Sequence, residues 1–240
     1  MTPPVDARRY RFHLLQLGAL PLRPDGRTDL HVEHRCTSVL VWPADEPPRI
    51  ENALLVDPSY TRAGYRHAQQ EAARFGVDPA ALRFSFCTHD HDDHCTQFPA
   101  SVTRPSLATF PEETAPPLAG LQAIPCPGHA PDLRALVFRD DGGREVWAVG
   151  DAILDRDWLL DWGYYWPNGY LEDEVLETWR SVARILATAD VVIPGHGEPI
   201  PVDRRLVEDL CRRYPLAEFG DRCPDVLDTL EARRQRLIGR

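Results

Sequence analysis

Short apolar runs alternate along the chain with two kinds of polar break. Residues 9–18 (RYRFHLLQLG), 36–42 (CTSVLVW) and 53–57 (ALLVD) interleave aromatic and branched aliphatic residues over strand-length spans. The proline-rich PADEPPRIEN separates the last two, which predicts a hairpin with a long loop. Residues 61–75 carry apolar positions at helical spacing and stop at Gly76, the pattern of an amphipathic helix. After the turn VDPAAL, a strand at 83–88 (RFSFCT) runs straight into a histidine-rich polar stretch. Residues 95–120 are proline-rich and aperiodic. Strands follow at 121–126, 133–140 and 144–151, the last two joined by the hairpin signal DGG. Residues 171–188 form the clearest helix, with Leu171, Val175, Trp179, Val182 and Leu186 on one face. A strand at 191–194 (VVIP) and helices near 203–214 and 224–237 complete the chain. No repeat or linker interrupts the pattern. Residues 1–240 therefore read as one domain with a short C-terminal helical extension.

Charge narrows the range of functions. The formal net charge is −10, which repels phosphate backbones, so nucleic acid is not an expected partner. All basic residues are arginine. The absence of lysine excludes a Schiff-base lysine, a P-loop lysine and a Ser-Lys dyad. The first twenty residues lack the charged start and apolar run of an export signal, and no stretch is apolar enough to span a bilayer. The six cysteines are scattered without a CxxC pair and read as free thiols, so a cytoplasmic location is expected.

Chemistry concentrates in His89-Asp90-His91-Asp92-Asp93-His94, which directly follows a predicted strand. A tight turn at a strand end converges several imidazoles on one point, and imidazole with carboxylate suits zinc, iron or manganese. Three isolated positions share this character: His129 in CPGHAP, Asp151 in VGD and His196 in PGHGEP. Each ends an apolar, strand-like stretch, and each has a glycine beside it that permits a sharp turn.

The set resembles the metallo-β-lactamase superfamily: His-x-His-x-Asp-His, then a His after Pro-Gly, an Asp after Gly, and a last Gly-His. VDPS at 56–59 also looks like that family's strand-end aspartate ahead of its first helix. The resemblance implies an α+β fold, the four-layer αββα sandwich with two mixed sheets face to face. It implies two divalent metal ions, zinc first with iron or manganese as alternatives. His89, His91 and His129 would hold one ion. Asp93, His94 and His196 would hold the other, and Asp151 would bridge them. It further implies hydrolysis of an ester, thioester or lactone by a metal-bridging hydroxide, with Asp93 catalytic and a small molecule as substrate. A homodimer is the default assembly.

Alternatives within the same resemblance are a mononuclear iron persulfide dioxygenase on His89, His129 and Asp151, and a phosphodiesterase or nuclease. A non-catalytic metal-binding protein is the rival from another class. A β-lactamase is disfavoured by Asp151, and a flavodiiron oxygen reductase by histidine at position 91. The motif departs from the family by continuing as Cys95-Thr96-Gln97 where small glycine-rich residues are common.

The aromatic stretch 158–170 (WLLDWGYYWPNGY) has two readings: packing of the next helix, or a pocket wall in which Trp162, Tyr165 and Trp166 contact substrate. Asp90 and Asp92 alternate with the ligands and should point away. Cys87, Cys95 and Cys126 read as small packing residues beneath the site, and His13, His31, His34 and His67 as ordinary histidines.

Overall fold

A computed structural model describes residues 8–95, 97–102, 108–109, 118–164 and 171–238. Among the described residues, ten strands share one hydrogen-bonded sheet. They are β1 (Arg9–Gln16), β2 (Ser38–Pro43), β3 (Leu54–Val56), β4 (Phe84–Phe86), β5 (Ala108–Thr109), β6 (Gln122–Pro125), β7 (Arg134–Asp140), β8 (Glu145–Gly150), β9 (Val191–Pro194) and β10 (Ile200–Pro201). The order is β10-β9-β8-β7-β1-β2-β3-β4-β5, with β6 on β7. The helices are α1 (Arg62–Ala73), α2 (Arg156–Leu160), α3 (Glu172–Thr188), α4 (Arg204–Arg213) and α5 (Pro224–Ile238).

Strand periodicity dictates the layers, because alternate side chains leave opposite faces of a strand. In β2, Val39 and Val41 enter one apolar cluster, while Leu40 and Trp42 enter another beneath α1. In β3, Leu54 and Val56 join the first cluster and Leu55 the second. The other half repeats the rule. Leu136, Phe138, Val146, Ala148, Val191 and Ile193 face the shared cluster. Ala135, Val137, Trp147, Val149 and Val192 face a third, covered by α3, α4 and α5. Three cores thus separate four layers, and the αββα sandwich is present. The two sheets are joined where β1 runs parallel to β7 over Arg9↔Arg139 and Tyr10↔Asp140, so they form one sheet folded on itself.

The β2–β3 and β7–β8 pairs are antiparallel, as the long loop and the DGG turn predict. Helix α3 buries Val175, Trp179, Val182 and Leu186, each 3% exposed or less. Leu171 departs from that face. It caps α3, its N–H donates to Glu174 Oε2 at 2.8 Å, and its side chain is 72% exposed. Helix α2 and the two-residue strands β5 and β10 fall in stretches with no readable period.

Strand direction places the site. Strands β3 and β4 run parallel, as do β8 and β9, so each pair ends at one edge of the sandwich. Two backbone hydrogen bonds clamp the halves there: Arg134 N–H to the Thr88 carbonyl at 2.8 Å, and Thr37 N–H to the Gly195 carbonyl at 2.6 Å. No helix among the described residues is long and apolar enough to cross a membrane.

Candidate metal centre

All seven predicted ligands meet at this edge, delivered by the loops after β4, β6, β8 and β9. They fall into two sets, His89 with His91, His129 and Asp151, and Asp93 with His94, Asp151 and His196; within each, the ligand atoms lie within 4.8 Å of one another. In the first set His91 Nδ1 is 3.0 Å from His89 Nε2 and 3.1 Å from His129 Nε2. In the second, Asp93 Oδ2 lies 3.7 Å from His94 Nε2 and 3.5 Å from His196 Nε2. Asp151 belongs to both. Its Oδ2 is 3.4 Å from His129 Nε2, while its Oδ1 is 3.1 Å from His94 Nε2 and 3.2 Å from His196 Nε2.

Neighbouring groups fix which nitrogen faces inward. A carboxylate only accepts, so His94 Nδ1 donates to Asp57 Oδ2 at 2.9 Å, leaving the Nε2 lone pair toward the centre. His196 Nδ1 donates to the Arg35 carbonyl at 2.9 Å with the same consequence. The Thr88 hydroxyl donates its one proton to Asp57 Oδ2 at 2.9 Å, so its oxygen accepts from His89 Nδ1 at 3.1 Å. Thr88 N–H also donates to Asp57 Oδ1 at 2.7 Å, which makes Asp57 the anchor for both ends of the motif. Such outer partners orient metal-binding imidazoles.

Close backbone approach is needed here. A Cβ on Gly195 would sit 2.0 Å from Asp151 Oδ1. Gly150 has φ +50°, a left-handed conformation that glycine adopts without strain. Thr37 secures the same loop, its hydroxyl donating to the Gly197 carbonyl at 3.2 Å and accepting from Gly197 N–H at 3.1 Å.

Burial pushes the His89 imidazole down to about 2 and the His129 imidazole to about 4, which keeps both in the neutral, metal-binding form. Burial also opposes charge on His94 and His196. The Asp151 carboxylate, with Asp57 for His94, outweighs it and raises both. Asp151 itself is held well below the usual carboxylate range: burial works the other way, and His196 and His94 overcome it. This half of the site therefore draws positive charge to itself, a proton where no metal is bound.

The donor chemistry fits metal ions. His94 Nε2, His196 Nε2 and Asp151 Oδ1 are buried without a hydrogen-bond partner, an arrangement that costs free energy unless a cation completes it. Three imidazoles and a carboxylate in one set, and two of each in the other, match a catalytic zinc-type shell in ligand type and number.

Other expectations resolve as follows. Asp90 and Asp92 are exposed and point away. Neither holds an imidazole; that task falls to Asp57, Thr88 and the Arg35 carbonyl. Cys126 is core, and Cys36 lies buried beneath the site with its thiol on the Asp57 carbonyl at 3.3 Å. Cys95 donates to Asp90 Oδ1 at 2.9 Å. None of the six cysteines is joined in a disulfide. Trp162 lies in the core beneath α3, α4 and α5. It is 3% exposed, its indole N–H donates to the Leu210 carbonyl at 3.2 Å, and its ring packs on Trp179 and Tyr214. Tyr165 and Trp166 lie outside the described residues. His34, read from sequence as ordinary, reaches the centre: its Nε2 is 3.1 Å from Asp93 Oδ2.

The folded sandwich and its edge cluster define a metallo-β-lactamase-fold protein, and part of the chain is similar in sequence to curated metallo-beta-lactamase domain-containing proteins. It is 34% identical over 179 aligned positions to metallo-beta-lactamase domain-containing protein 1 of Mus musculus, covering 66% of this chain and 65% of the relative. The Rattus norvegicus protein of the same name is 33% identical over 164 positions, covering 60% and 61%. The chain thus spans a little under two thirds of these relatives' length. No family model matches. A metallo-beta-lactamase family protein of Thermus thermophilus superposes with TM-score 0.53 at 17% identity, covering 95% of this chain and 93% of that one. A quorum-quenching N-acyl homoserine lactone lactonase gives 0.53 at 14%, covering 80% and 93%.

Proposed function

We propose that this protein is a dinuclear metal-dependent hydrolase of small esters, thioesters or lactones. The observation that carries the reading is the division of Asp151, with Oδ2 facing the first ligand set and Oδ1 the second. Bound there, two divalent ions such as zinc would supply a hydroxide at neutral pH and polarise the scissile carbonyl. His89, His91 and His129 would hold one ion; Asp93, His94 and His196 the other.

The remaining work falls to the chain. Asp57, Thr88 and the Arg35 carbonyl keep the imidazole lone pairs turned inward, so the centre is organised before substrate arrives. Asp93 is the carboxylate placed to exchange a proton with the reacting group, since its side chain is 27% exposed against 6% for Asp151. The fold likeness to a lactone lactonase supports the substrate class. The persulfide dioxygenase alternative would use only His89, His129 and Asp151. It leaves the buried, unpartnered Nε2 atoms of His94 and His196 unexplained. The net charge of −10 disfavours a nuclease, which must hold a phosphate backbone.

The test is metal content of protein purified without chelator, followed by an ester, thioester and lactone panel. Two equivalents per chain and turnover abolished by Asp93→Ala are expected. One equivalent of iron with oxygen uptake would overturn the reading, as would full activity in Asp93→Ala.

A further inference from the structure

The outer support of the two ligand sets is unequal, and the difference lies in one short segment before β2. In the second set, His94 is held from the interior by Asp57 at 2.9 Å, and Asp151 is buried. The other two members depend on consecutive residues of the segment. The Arg35 carbonyl accepts from His196 Nδ1 at 2.9 Å, and His34 Nε2 lies 3.1 Å from Asp93 Oδ2. Thr37, two residues further on, ties the His196 loop down through Gly195 and Gly197. The first set takes none of these contacts.

Asp93 is also the most exposed member of the second set, with 27% of its side chain accessible against 1% or less for His94 and His196. A partly exposed carboxylate samples several rotamers, and holding one of them requires a partner. His34 supplies it. A carboxylate oxygen only accepts, so the nitrogen 3.1 Å away is the donor, and the contacted Oδ2 is the oxygen facing His94 and His196. One lone pair of Oδ2 takes the His34 N–H and leaves the other for the ion. The ring packs on His196 with centroids 4.9 Å apart, which fixes its own orientation. His34 is not among the residues of either ligand set.

We propose that His34 is a positioning residue for the second metal ion: it fixes the Asp93 carboxylate in its ligating orientation and thereby sets the affinity of that site alone. The proposal rests on the two-metal reading. It places the 34–37 segment in control of the second ion, independently of the first.

The test titrates chelator-stripped full-length protein with Zn2+ by calorimetry, and with Co2+ by its visible absorption, in wild type, His34→Ala and His34→Gln. In His34→Ala the second equivalent should weaken by about 10–100-fold, the usual cost of removing an outer-shell partner, with the first unchanged. His34→Gln keeps an N–H donor at similar reach and should recover most of that loss. The side chain is 43% exposed, so neither variant threatens the fold; circular dichroism verifies this. Wild-type affinity for both ions in His34→Ala would overturn the proposal and leave the two-metal reading standing. Equal weakening of both ions, or His34→Gln no better than alanine, would overturn the positioning role. A wild-type protein that takes one equivalent would overturn the two-metal reading and this proposal with it.

Discussion

On the two-metal reading, Asp57→Asn should weaken binding of the second metal ion while leaving the fold in place. Asp57 is 2% exposed and accepts three hydrogen bonds on two oxygens: Thr88 N–H at 2.7 Å, Thr88 O–H at 2.9 Å and His94 Nδ1–H at 2.9 Å. Its φ is +44°, which asparagine tolerates nearly as well as any non-glycine residue. An amide has one acceptor where two are needed. With its oxygen toward Thr88 N–H, its NH2 meets His94 Nδ1, which must then accept. The His94 proton moves to Nε2, 3.1 Å from Asp151 Oδ1, and the lone pair that binds metal is gone. With the amide flipped, NH2 faces the Thr88 N–H and leaves that buried donor unpaired, at about 1–3 kcal/mol. The first arrangement weakens the second site by about 10–100-fold, or about 1.4–2.7 kcal/mol, whereas the flipped one keeps the His94 acceptor and costs stability instead. Loss of charge from hydrogen bonds worth about 1.5–3 kcal/mol each should cost about 2 kcal/mol of stability overall. For a chain of this length that is a Tm lower by about 4–8 °C. Where the amide oxygen stays toward the Thr88 hydroxyl, His89 keeps its Thr88 acceptor and the first ion should bind normally. Metal titration and thermal melting read both effects. Two ions bound with wild-type affinity would refute the tautomer argument.

Three further outcomes are expected. Chelation should lower Tm, because His94 Nε2, His196 Nε2 and Asp151 Oδ1 lose the cation that completes them; metal at about a hundredfold its Kd contributes about 2.7 kcal/mol, or about 5–11 °C here. An unchanged melting curve after chelation would count against any structural metal. Gly195→Ala should abolish binding of both ions, since its Cβ would lie 2.0 Å from Asp151 Oδ1; metal analysis showing two ions would sink this. Trp162→Ala should cost about 3–5 kcal/mol in denaturant unfolding through loss of a buried aromatic. It should leave KM unchanged at temperatures where the protein is folded; a raised KM with full stability would return Trp162 to a pocket wall.

The fold was legible where the sequence carries a period. Val39/Val41 against Leu40/Trp42 alternate between two cores, and that alternation is visible as a run of apolar residues flanked by turns. Elements too short for a period left no trace: β10 has two residues, and α2 runs into an aromatic stretch whose composition suits either core or pocket. Trp162 belongs to the core because α4 offers the Leu210 carbonyl to its indole N–H, a long-range contact that local sequence does not encode. Leu171 misled for a related reason. It continues the periodicity of α3 but sits one residue before the first turn, where no neighbour covers it.

The ligands and their supports differ in the same way, and the difference explains how the site is built. The ligands are chemically conspicuous and close to turns, so all seven stand out along the chain. Their supports include a threonine, a main-chain carbonyl and a histidine, none unusual by type. What makes them functional is strand direction. Parallel β3 and β4 bring Asp57 to Thr88 from 31 residues away. The clamp between Thr37 and Gly195 brings Arg35 to His196 across 161 residues, with His34 beside it. The first link is internal to the half-sheet that carries the motif, whereas the second crosses between halves. Both ligand sets span the two halves of the sandwich, since His129 and Asp151 come from the half opposite His89 and His91; the second set is tied across them once more, through the 34–37 segment.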